Sequence, residues 1–248
     1  MKTNFERIVL TGGGGRLGSE IKRLLPGIIT PDLPDFDICK AEQVEAVLDE
    51  YQPEIVVHAA AYTNVAGAEK AREDCWRVNV EGTRNIVKGV TSRGIFLVHI
   101  STDYVFDGTR GMYKEDDVLG PVRNYYSLTK LIAEQLARMS PRFLVIRTSF
   151  RPREWPYPAA FSDVYTSQDY VDVIAPEIAL AIRHCQEIPY DTLHIATERK
   201  SVYDLAKRRK PDVQPGSKKD ANVELPDDIS MDISRWLQVK KELTASEG

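Results

Sequence analysis

Residues 7–11 (RIVLT) form a short apolar run that reads as a buried strand, and the chain then enters Gly12-Gly13-Gly14-Gly15-Arg16-Leu17-Gly18. A helical pattern through Ile21, Leu24 and Leu25 follows directly. Strand, glycine turn and helix in that order leave few folds open. Gly12, Gly15 and Gly18 are spaced G-x-x-G-x-x-G. The first glycine lets the strand turn sharply, the second lets a diphosphate approach bare backbone, and the third lets the helix pack against the strand. The helix N-terminus adds unpaired N–H groups and a partial positive charge. The pattern predicts a dinucleotide site with Gly12, Gly15, Arg16 and Leu17 around the phosphates. A short second strand is expected over residues 27–30 (GIIT), with Asp32 just beyond it and Asp37-Ile38 at the next strand–loop junction. Acids at these places hydrogen-bond ribose hydroxyls or the adenine amine, whereas Arg16 can accept a 2′-phosphate. NAD and NADP therefore both stay open.

Tyr126 and Lys130 stand four residues apart on a helix-like stretch, so a phenol and an ammonium point to one side. Together they can move a proton beside a hydride. Tyr125 is five residues from Lys130, which turns it away. Helical and strand-like segments alternate: helix 41–51, strand 54–60, a long helix over 67–93, strand 95–102, the Tyr126 helix to about residue 139, and strand 143–149. Near-continuous apolar strands between amphipathic helices predict an α/β fold with a doubly wound parallel sheet, Rossmann-like. Beyond Arg147, Pro152, Pro156 and Pro158 break the pattern, and only residues 192–197 read as another strand. The expected division is a dinucleotide-binding domain over residues 1–150 and a small, interleaved substrate lobe over residues 151–248.

A formal net charge of −4 argues against a general nucleic-acid binder. No apolar run approaches the roughly 20 residues of a membrane span. Cys39, Cys75 and Cys185 form no C-x-x-C pair, and the four His show no metal-ligand spacing. A reducing cytoplasm and no catalytic metal are expected.

Six segments together resemble the extended short-chain dehydrogenase/reductases, and most of all their dTDP-4-dehydrorhamnose reductase subfamily. They are TGGGGRLG (residues 11–18), HAAAYTNV (58–65), the Asn79-containing RVNVEGTRNI, STDYVFDG (101–108), NYYSLTK (124–130) and RTS (147–149). The resemblance implies NAD(P)H-dependent reduction of a 4-keto nucleotide sugar in deoxysugar or polysaccharide synthesis. Tyr126 would then be the general acid, Thr102 would hold the carbonyl oxygen, and Lys130 would bind the nicotinamide ribose. Ala59, Ala60, Ala61 and Ser101 would border the cofactor, with Asn79 steadying the lysine region. Asp103, Val105 and Phe106 would face the sugar ring, Phe150 would pack on it, and Arg151 and Arg153 are candidates for the diphosphate. A homodimer is a further family expectation. Two alternatives use the same scaffold: a nucleotide-sugar epimerase or dehydratase, and a non-catalytic dinucleotide-binding regulatory subunit.

Overall fold

The computed structural model describes residues 5–221 and 225–246. The remaining residues of the two expected domain spans lie outside the described residues. The central sheet is built from β1 (Ile8–Thr11), β2 (Ile55–His58), β3 (Phe96–Thr102), β4 (Phe143–Thr148) and β9 (Thr192–His194), in the order β1-β2-β3-β4-β9. β1, β2 and β3 pair in parallel, with Ile8 opposite Ile55 and Ile55 opposite Phe96. These three strands are buried along their whole length, as expected for a parallel sheet covered on both faces. The shorter strands are β5 (Phe150–Arg151), β6 (Ala159–Phe161), β7 (Tyr165–Thr166), β8 (Asp169–Tyr170), β10 (Lys200–Ser201) and β11 (Gln214–Gly216).

The helices are α1 (Arg16–Leu24), α2 (Ala41–Tyr51), α3 (Val65–Ala68), α4 (Arg72–Trp76), α5 (Thr83–Arg93), α6 (Tyr125–Ala137), α7 (Val171–Arg183), α8 (Val202–Lys207) and α9 (Ser234–Ser246). Three expectations need correction. Residues 27–30 form no strand, only one bridge between Val9 and Ile29, because Pro26 and Pro31 close off a segment too short to extend the ladder. The single long helix over 67–93 is broken after α3 and resumes at α4, where residues Arg77–Gly82 widen into a π-helical turn before α5. The stretch beyond Arg147 is also more ordered than its prolines suggest. α7 carries Val171, Ile174, Ala175, Ile178, Ala179 and Ile182 on a buried face despite Pro176 inside it.

The chain forms two compact units that alternate along the sequence. The first holds the described residues up to Ser101, with Asn124–Ile146 and Ala175–Thr192. Its core packs Val44 and Leu48 of α2 and Ile86 and Val90 of α5 against Val9, Val56 and Leu97 of the sheet. Each such side chain contributes roughly 1.5–3 kcal/mol on burial. α2 stops at Gln52 and α5 at Gly94, both in the left-handed region that ends helices. The second unit holds Thr102–Arg123, Arg147–Ile174 and the described residues from Leu193 onward. It contains three two-stranded pairings, β5–β8, β7–β10 and β6–β11. A small core of Trp155, Ala160, Val164, Val202, Ala206 and Val213 holds them. The basic run at 207–210 is a charged helix end, with Arg208 on Asp169 and Arg209 on Asp172. Among the described residues no helix is long and apolar enough to cross a membrane.

Candidate active site

The glycine turn in the first unit is shaped as its spacing predicts. Gly12 takes φ +74, and a Cβ there would lie 2.8 Å from the backbone of Ala60. Gly18 is tighter still, since a Cβ would meet the Gly12 carbonyl oxygen at 2.1 Å. α1 therefore packs directly on the loop, and Gly15 caps it with extended backbone and no side-chain capping bond. The N–H groups of the first turn, at Arg16 and Leu17, have no intrahelical partner. Asp32 reaches back to this loop, its Oδ2 accepting the Gly14 N–H at 2.5 Å. Asp37 instead closes a turn, its carboxylate accepting the Cys39 N–H at 2.9 Å, and this bond holds its pKa below the usual carboxylate value. Ile38 is buried, with its side chain where a Cβ on Gly82 would fall.

Parallel register sets Thr11, His58 and His99 side by side across the sheet. Thr83 Oγ1 donates to the Asn79 carbonyl at 2.6 Å, so His58 Nε2 must donate to Thr83, at 3.0 Å. His58 Nδ1 is then the acceptor from Thr11 Oγ1 at 2.8 Å, and Thr11 in turn accepts the Ala60 N–H at 3.2 Å. The network assigns His58 as the neutral Nε2–H tautomer. Burial, aided by the charge of Lys130, pushes its pKa down to about 3. His99 is displaced well below its ordinary value for the same reasons.

Tyr126 and Lys130 stand on one face of α6, which begins where Asn124 accepts the Ser127 N–H at 2.8 Å. Both are buried, at 8% and 5% exposure. Lys130 Nζ donates to the Ile100 carbonyl on β3 at 2.9 Å. Desolvation pulls its pKa down to about 8, so the ammonium is still mostly charged at neutral pH. Tyr125 is turned away under Arg72, whose guanidinium lies 5.0 Å from its ring. Asn79, in the π-helical turn, accepts the Tyr62 N–H at 2.7 Å and donates to the Tyr62 carbonyl and to Thr129 Oγ1. Thr129 donates to the Tyr126 carbonyl at 2.8 Å. Asn79 thus ties three segments together, and its side chain is committed to protein partners. Ser101 is likewise committed, donating to Glu134 at 2.7 Å.

The remaining expected residues lie in the second unit. Thr102 Oγ1 donates to Asp103 Oδ1 at 3.0 Å and accepts the Tyr104 N–H at 3.2 Å. Asp103 is fully buried with Oδ2 unpaired. Desolvation raises its carboxyl to about 6, against opposing hydrogen bonds from Thr102 and Ser149. Val105 is buried, and Phe106 stacks on Tyr113 at 4.4 Å with the Arg147 guanidinium 5.1 Å from its ring. Both are packed inside the unit. Phe150 is half-buried and pairs with Asp169 in β5–β8. Arg151 lies over Trp155 at 5.5 Å, and Arg153 is exposed.

Sequence reasoning missed Thr11, Thr83, Thr129, Glu134 and Tyr62 as supports of the site. Thr129 and Glu134 could have been found, since they flank Lys130 at −1 and +4 on the same helix. The donor set fits a nicotinamide dinucleotide: a glycine cradle in which added Cβ atoms collide, an uncapped helix N-terminus, an acid on the loop, and a buried Tyr-Lys pair.

A sequence profile described as the RmlD substrate binding domain matches residues 6–175. A dTDP-4-dehydrorhamnose reductase of Aggregatibacter actinomycetemcomitans is 34% identical over 151 residues, covering 58% of this chain and 51% of that protein. A solved hypothetical dTDP-4-dehydrorhamnose reductase of Sulfolobus tokodaii superposes with a TM-score of 0.83 at 29% identity, covering 94% of both chains. The Bacillus anthracis dTDP-4-dehydrorhamnose reductase, solved in complex with NADP, gives 0.81 at 27% identity, covering 94% of this chain and 91% of that one. The chain spans about half the length of the curated relatives it matches. With its glycine cradle, Tyr126-Lys130 pair and parallel sheet, the chain belongs to the RmlD substrate binding domain family of extended short-chain dehydrogenase/reductases.

Proposed function

We propose that the protein reduces the keto group of a 4-keto-6-deoxy nucleotide sugar with a nicotinamide dinucleotide, in deoxysugar or polysaccharide synthesis. The observation that carries this is the buried Tyr126-Lys130 pair, with Nζ bonded to β3 two residues before Thr102. When bound, the reduced nicotinamide supplies the hydride. Tyr126 donates the proton that the carbonyl oxygen takes up, and Thr102, on turning its hydroxyl away from Asp103, orients that oxygen by a hydrogen bond. An unperturbed Tyr has a pKa near 10, so bringing it toward neutrality takes roughly 4 kcal/mol. A desolvated, charged Lys130 is the group on this helix that favours the phenolate. Asn79 and Thr129 hold the first turn of α6 so that the phenol keeps its place. Asp103, buried and hydrogen-bonded to Thr102, stands behind that residue in this reading, and the second unit carries the substrate pocket with Phe150, Arg151 and Arg153. A cytoplasmic setting and a homodimer belong to the same reading.

The test is purified protein with NADH or NADPH and dTDP-4-keto-6-deoxyglucose or its 3,5-epimer, followed at the nicotinamide absorbance. Turnover should fall by about 10²–10⁴-fold in Tyr126→Phe, the usual worth of general acid catalysis, while cofactor binding persists. Cofactor binding without turnover of any keto-sugar would favour the regulatory-subunit alternative.

A further inference from the structure

A second side chain of α6 also grips the end of β3. One turn beyond Lys130, Glu134 is fully buried, and its Oε2 accepts the Ser101 hydroxyl at 2.7 Å. Its Oε1 accepts the Arg138 guanidinium at 3.0 Å. With a donor on each oxygen, one of them a cation, Glu134 is an ionised carboxylate. Lys130 and Glu134 lie four residues apart on one helix face and hold consecutive residues of β3, Ile100 and Ser101. Arg138 is itself shared with Thr192 Oγ1 at 2.8 Å and Asp191 at 3.6 Å.

We infer that Glu134 is a positioning residue that keeps Lys130 charged and in register with the end of β3, an inference that takes its catalytic meaning from the reduction proposed above. An ammonium taken out of water needs a counter-charge, and the Ile100 carbonyl that Nζ bonds is neutral. The other titratable groups around Lys130 do not supply one. His58 of β2 and His99 of β3 are held neutral by burial. Cys75 of α4, with Sγ 3.4 Å from Thr129 Oγ1, has its thiol pushed up by burial and carries no charge at neutral pH. Tyr126 is a neutral phenol until it gives up its proton. Arg138 has the wrong sign and is bound to Glu134 and Asp191. Glu134 is thus the anion that opposes the loss of hydration, which pulls the lysine down to about 8. Without that carboxylate, desolvation acts unopposed, and a lysine neutral near pH 7 no longer favours a phenolate.

Protein carrying lysine isotope-labelled at Cε, titrated by NMR without cofactor or sugar, tests this, the Lys130 signal being the one lost in Lys130→Met. Wild-type Lys130 should titrate at about 8. Glu134→Gln matches the shape and keeps an acceptor for Ser101, and should lower that midpoint by about one unit or more. Ser101→Ala removes the tether and keeps the charge, and should leave the midpoint within about 0.3 units. In the keto-sugar assay, Glu134→Gln should turn over about threefold more slowly than wild type at about pH 7.5 and recover toward it at about pH 6.5, where the lysine is charged again. A wild-type midpoint below about 7, an unchanged midpoint in Glu134→Gln, an equal fall in Ser101→Ala, or a rate deficit equal at both pH values would overturn the inference. A lowered midpoint in Glu134→Gln with no turnover of any keto-sugar by the wild type would overturn the proposed reduction and uphold the charge on Lys130 as the work of Glu134.

Discussion

Asn79 and His99 are both buried and polar, yet they do opposite things. Asn79 makes three short bonds to Tyr62 and Thr129, whereas neither ring nitrogen of His99 has a hydrogen-bond partner among the described residues. Removing a partner from buried groups costs roughly 1–3 kcal/mol for each group left unpaired, while removing an unpaired group costs none of that. Asn79→Ala should therefore lower the unfolding free energy by about 2–3 kcal/mol in urea titrations. His99→Leu should be neutral or stabilising at pH 7.5 in the same measurement, and a loss above about 2 kcal/mol would mean that the ring has a bonding role. Neither role is legible from residue identity. Which buried polar group is satisfied depends on neighbours 17 and 50 positions away in the chain, as Tyr62 and Thr129 are from Asn79.

The joint between β1 and α1 depends on missing side chains. The Gly12 oxygen occupies the space where a methyl on Gly18 would go, at 2.1 Å, with Gly13 Cα at 2.8 Å. Gly18→Ala must push the helix off the loop. Overpacking of this kind costs roughly 1–3 kcal/mol. The expected outcome is a lower melting temperature together with at least about tenfold weaker dinucleotide binding, because the N–H groups of the first helical turn move with the helix. Unchanged affinity would separate the glycine cradle from the cofactor. This element was readable because G-x-x-G-x-x-G after an apolar strand has few physical explanations. The π-helical turn at Arg77–Gly82 was not readable. Its sequence continues the helical pattern, and the widened turn places Asn79 against Thr129 only once α6 is packed beside it. α7 was missed because Pro176 lies within it and a proline-rich stretch precedes it, although its apolar spacing is plain.

At the level of the whole molecule, proton linkage joins the buried groups to stability. His58, lowered to about 3, and His99, lowered well below its usual value, stay neutral in the folded state while the unfolded chain takes up protons below about pH 6.5. The unfolded state then binds more protons, so stability falls as pH drops through that window. Asp103, raised to about 6, works the other way, since its folded form keeps a proton that the unfolded chain releases above about pH 4. Two histidines against one carboxyl leave a net loss of roughly 2 kcal/mol between pH 7.5 and 5.5. Urea unfolding at the two pH values measures it, and an equal midpoint at both would refute the assignment of neutral buried imidazoles. Lys130, lowered to about 8, adds stability as pH rises from about 8 toward 10.5. By itself, the sequence determined the alternation of strands and helices, the parallel sheet, the glycine turn, and the Tyr126-Lys130 face, because each follows from periodicity or from spacing within one element. Only the tertiary structure decided that His58 is a neutral donor to Thr83, that Lys130 is anchored to Ile100, and that Asp32 closes on Gly14. Those contacts join separate elements, and a linear pattern carries no information about which buried polar groups will meet.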